Sequence, residues 1–118
     1  MKATLPEIEK YLGLLTATPQ RIQEAVKGWN EAQLQSKAGN QSWSVNEILA
    51  HLRSCADLWT YSIYAMLAEN EPAFSDINER KWAKVTGYAD LSFAQSFQAY
   101  ALQRKNLLRV LQALPFES

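Results

Sequence analysis

A chain of 118 residues and 13.4 kDa is one domain's worth of polypeptide, long enough to bury a modest core without metal or disulfide staples. Hydrophobic residues at 47% and charged ones at 20% exclude a disordered chain, and twelve basic against twelve acidic residues remove the electrostatic drive that nucleic-acid binders depend on. One cysteine cannot form an internal disulfide, and no apolar run has signal-peptide or membrane-span length, so a single cytoplasmic domain over residues 1–118 with no membrane and no nucleic-acid partner is expected.

Leu5, Ile8, Leu12 and Leu15 recur at helical spacing behind Pro6, and Thr18-Pro19 repeats the signal for a helix start. Ile22, Ala25, Val26 and Trp29 continue the stripe, so a first helix broken or kinked between Thr16 and Pro19 is expected. Asn30 can cap a single turn ending near Leu34, and Ser36 to Ser42, with Gly39-Asn40, reads as loop.

Ser44 and Glu47 then form an S-x-x-E capping box, with Trp43 placed to fold over Ile48 as a hydrophobic staple. The helix they start runs from Val45 to about Glu69 on a stripe of Val45, Ile48, Leu49, Leu52, Cys55, Ala56, Trp59, Ile63 and Met66, and Asn70-Glu71-Pro72 ends it. Asp76 with Glu79 offers a box-like cap for a shorter helix closed by Gly87. The last helix extends from about Leu91 to Leu114 and Pro115 stops it. Nothing alternates as a strand would, so the fold class is all-α, with three long helical segments plus short helices.

His51, the only histidine, lies at the edge of its helix's stripe and faces a groove between helices. Spacing alone favours a boundary imidazole bonded to a backbone carbonyl over a metal ligand or general base. A metal site needs further ligands, and Glu47, one turn away, is engaged as a cap. Cys55, one turn beyond His51, reads as core before it reads as a nucleophile. Arg104 falls near the centre of the last helix's stripe, where an ion pair with Asp57 or Glu47 fixing helix register is expected ahead of a clamp for an anionic ligand.

Trp43, Ser44, Glu47, His51 and Leu52 spell W-S-x-x-E-x-x-x-H-L, and this pattern resembles the opening of the second long helix of the DinB/YfiT-like superfamily. Arg53 to Trp59, Glu71-Pro72 and Gln103 to Leu108 extend the resemblance over essentially the whole chain. It implies an up-down-down-up four-helix bundle, typically dimeric, among relatives that include thiol-dependent transferases and metal-dependent hydrolases. Many members hold a divalent metal through one histidine of the second helix and two from an H-x-x-x-H in the fourth. By that pattern His51 is the first ligand for zinc or nickel, while Leu114 to Ser118 resembles the turn before the fourth helix, so that helix and its two histidines are expected to be missing. A lone imidazole holds either metal weakly.

The resulting expectation is a DinB-like bundle with its metal triad reduced to His51, acting as a homodimeric, self-associating or interaction module. The alternative is a metal-dependent hydrolase or thiol-dependent transferase whose site is completed across a dimer. A third option is a small-molecule sensor in which Arg104 meets an anion.

Overall fold

The computed structural model describes residues 5–37, 42–69 and 77–114, which form two compact units: 5–28 with 98–114, and the described residues from 29 to 97. Its helices are α1 (Leu5–Ala25), α2 (Glu31–Gln35), α3 (Val45–Ala68), α4 (Glu79–Thr86) and α5 (Phe93–Gln112), with a 3-10 turn at Tyr88–Asp90. No strand occurs among the described residues, and no helix there is long and apolar enough to cross a membrane. Helices α1, α3 and α5 are the three long segments expected from periodicity.

In the first unit, α1 runs through Pro19 as one continuous helix, so of the two expected outcomes the break between Thr16 and Pro19 does not occur. Proline has no N–H for the carbonyl four residues back, here that of Leu15. Arg104 supplies the missing donor: its Nη1 lies 3.0 Å from the Leu15 carbonyl oxygen, and its Nη2 donates to the Tyr100 hydroxyl at 3.1 Å. Thr16 and Thr18 turn their hydroxyls back onto the carbonyls of Leu12 and Leu14, each at 2.8 Å, so neither side chain competes with the helix as a cap. Tyr100 and Leu107 are the buried apolar side chains that α5 gives this unit.

In the second unit, α3 packs against α2, α4 and the 3-10 turn. The anticipated box of Ser44 with Glu47 starts α3, and the anticipated Asn30 cap of α2 closes as a box with Gln33. Helix α4 begins one residue after its cap Asn78, whose side chain accepts from Arg80 and Lys81 N–H groups, and it ends on left-handed Gly87 at φ 65°. Asp76 and the stop at Asn70-Glu71-Pro72 lie outside the described residues.

The buried face of α3 is rotated from the expected stripe. It carries Asn46, Leu49, Ala50, Ser54 and Thr60, while Ile48 (47%), Trp59 (70%) and Met66 (55%) are exposed. Hydrogen bonding permits that exchange. Asn46 Nδ2 donates to the carbonyls of Leu91 (2.9 Å) and Ala89 (3.1 Å) and to Gln35 Oε1 (3.3 Å), and Ser54 donates to Ala50. Asp57 adds a second tie, accepting from Trp82 Nε1 at 3.0 Å and from the Tyr88 hydroxyl. The Arg53 guanidinium lies 3.6 Å from the Tyr88 ring centre and donates to Ser96 at 3.2 Å. Burial foremost, then the Asp57 carboxylate, pushes the Tyr88 phenol above its ordinary range. Together these contacts fix α4 and the 3-10 turn on α3, and α4 is the element that completes the site.

Candidate metal centre

His51 and Cys55 stand one turn apart on α3, so their side chains leave the same helix face and lean toward its N-terminus. Helix α4 brings Glu79, its first residue, against them. Cys55 Sγ donates to Glu79 Oε2 across 3.2 Å and lies 3.6 Å from His51 Nε2. One ligand atom from each residue falls within 4.8 Å of the other two. The Trp43 indole and the His51 ring meet edge to face, with centroids 5.5 Å apart and planes at 69°, a contact that restrains the imidazole.

Donors bound to zinc at about 2.0–2.3 Å in a tetrahedron stand about 3.3–3.8 Å apart. The separations around Cys55 sit at that spacing within a few tenths of an ångström, and all three ligand atoms lie within 4.8 Å of one another, so imidazole, thiol and carboxylate are placed to converge on one divalent cation. Without a cation, the site keeps its thiol protonated. Desolvation first, then the hydrogen bond and negative charge of Glu79, push the Cys55 thiol up to about 11. A thiol in that condition is a poor nucleophile, which weighs against the Cys–His nucleophile reading for the metal-free chain. Cys55 is also only half-buried, so it is not the plain core residue that its stripe position suggested.

His51 and Glu79, but not Cys55, border a cavity of about 350 Å³ lined also by Trp43, Glu47, Ala50 and Arg80, with Ala83 and Ala89 completing the wall. Glu47 contributes a carboxylate already engaged: its Oε1 accepts the Ser44 N–H at 3.1 Å and stands 3.5 Å from Lys37 Nζ. The Ser44 backbone bond is foremost in holding the Glu47 carboxyl below its usual range. Arg104 and Asp57, singled out in the sequence, do their observed work elsewhere, at the Leu15 carbonyl and at Trp82 and Tyr88.

Sequence reasoning missed Glu79 as a candidate ligand, treating it as half of a cap. The i, i+4 spacing of His51 and Cys55 was the available signal, because that spacing puts two donors on one helix face, as in zinc-binding H-E-x-x-H helices. What no local pattern reveals is which carboxylate a helix beginning 24 residues after Cys55 will deliver.

The sequence pattern of the DinB superfamily matches residues 14–118. Among solved structures, the chain is similar to YfiT from Bacillus subtilis, described as a probable metal-dependent hydrolase with an unusual four-helix bundle topology. The TM-score is 0.79 at 18% sequence identity, over 97% of this chain and 65% of that one. At this identity the likeness shows the fold, and the chain spans just under two thirds of its structural relative. No curated protein matches significantly.

Proposed function

The chain belongs to the DinB superfamily, and on that premise we propose that it is a metal-dependent helical protein in which His51, Cys55 and Glu79 hold a divalent cation, zinc foremost. The observation that carries this reading is the convergence of three chemically different donors within 4.8 Å. The thiol selects zinc over magnesium, calcium or manganese, which prefer oxygen donors, and imidazole is equally at home on zinc. Three protein ligands leave a tetrahedral ion one position open, the pattern of catalytic rather than structural sites. A cation bound here supplies Lewis acidity for hydrolytic or group-transfer chemistry.

The chain's own residues do the rest. Trp43 and the alanines Ala50, Ala83 and Ala89 give the cavity apolar walls, and the Ser44 cap keeps Glu47 turned into its box. The description of YfiT as a metal-dependent hydrolase agrees with hydrolysis as the reaction class, with thiol-dependent transfer as the alternative. This reading replaces a lone His51 by three ligands from one chain, so a site completed across a dimer is no longer required. Metal analysis after equilibration with zinc tests it: retention by the wild-type chain and loss in His51→Ala supports the centre, and equal retention by both rules it out.

A second reading, a homodimeric or interaction module, is supported by the exposure of Trp59 (70%) and Val85 (86%) on α3 and α4. Light scattering at micromolar concentration decides it, because a strictly monomeric chain contradicts self-association.

A further inference from the structure

The cavity beside His51 and Glu79 contains one cation, Arg80, and no hydrogen bond or ion pair engages its guanidinium among the described residues. Its backbone N–H is held by Asn78 at 2.8 Å, which fixes the first turn of α4 and the point from which the side chain departs. The two carboxylates of the same wall are committed, Glu47 to Ser44 and Lys37, and Glu79 to Cys55. The remaining lining is apolar: Trp43, Ala50, Ala83 and Ala89. A volume of about 350 Å³ lies at the small end of small-molecule sites.

We infer that Arg80 is an anion subsite of this cavity, and that the ligand taken there is a small molecule with an oxyanion, carboxylate or phosphate, on a compact apolar body. The guanidinium offers a planar fork of N–H donors that matches two oxygens of either group. Trp43 supplies a flat face for the apolar part. Arg80 and His51 line the same cavity, so an oxyanion held at Arg80 leaves the rest of the molecule within the cavity that His51 borders. The position of the bound molecule relative to the centre rests on the metal reading, whereas the subsite itself does not.

Calorimetric titration of the full chain, metal-free and zinc-loaded, with benzoate, phenyl phosphate and neutral benzamide tests the subsite. The wild-type chain is expected to prefer at least one anion over benzamide by about tenfold or more, and the preferred anion identifies the group. Arg80→Gln is expected to bring that preference to near parity, and Arg80→Lys to retain part of it. Arg80 is exposed, and matching helicity of the variants checks that they are folded. An anion preference that persists undiminished in Arg80→Gln, or its absence from the wild-type chain, overturns the subsite. Zinc content of the same samples judges the metal centre separately: an Arg80-dependent preference without zinc retention upholds the subsite and refutes the centre, and zinc retention without that preference does the reverse.

Discussion

Arg104 Nη1 donates to the carbonyl of Leu15 at 3.0 Å, and that carbonyl is the one Pro19 leaves without an intrahelical donor. A charged donor placed on a main-chain acceptor 89 residues away lets α1 pass through a proline that would otherwise weaken it. Arg104→Ala is therefore expected to cost about 1–2 kcal/mol in denaturant unfolding, since the Leu15 carbonyl is only partly buried. In a Pro19→Ala background the restored N–H makes the same substitution less costly. A double-mutant cycle with a coupling energy near zero would show that the two residues act independently.

Asn46 is fully buried, and its Nδ2 serves the carbonyls of Ala89, within the 3-10 turn, and of Leu91, just after it. Asn46→Leu keeps the volume and leaves the Ala89 and Leu91 carbonyls without that donor. The expected loss is about 1–3 kcal/mol, and hydrogen exchange should quicken in the 3-10 turn before it does elsewhere. Unchanged stability would mean that water replaces the amide at no cost.

The local signals in the sequence were sound where the physics is local. Asn30 and Ser44 cap as read, because each box closes within four residues, and Gly87 ends α4 because only a left-handed residue fits there. The reading failed where a distant group decided the outcome. Pro19 looked like a helix start until Arg104 is seen to meet Leu15, and the α3 stripe looked apolar until Asn46 and Ser54 find their hydrogen bonds inside and Thr60 is buried beside them on the same helix. Of the site, His51 was legible, Cys55 was assigned to the core, and Glu79 depends on how α4 docks through Trp82, Tyr88 and Asp57.

That docking makes Asp57 a remote determinant of the centre. Asp57→Ala removes the acceptor for Trp82 Nε1 and the Tyr88 hydroxyl. It should cost about 1–3 kcal/mol of stability and weaken zinc binding, with helicity retained. Zinc affinity equal to that of the wild-type chain would separate α4 placement from metal binding.

Cys55 gives the metal-free chain a defined pH dependence. With its thiol raised to about 11 by burial and by Glu79, the protonated form is favoured by folding. Its contribution to stability is present below the unfolded thiol's pKa and is lost as the pH rises through about 11. Alkylation of metal-free protein at pH 8 should run about a hundredfold slower than that of an ordinary thiol, in line with its thiolate fraction. Glu79→Gln should speed it. A rate typical of an unhindered cysteine in the folded chain would contradict the environment described.

Equilibrium zinc binding to the full chain, measured against a competing chelator in the wild-type protein and in Cys55→Ser and Glu79→Gln, tests the central claim most directly. One zinc per chain is predicted, with each substitution weakening it by more than the about 10–100-fold that loss of a supporting hydrogen bond costs a metal site. Zinc held with undiminished affinity by both variants, or not held by the wild-type chain at all, would contradict the account.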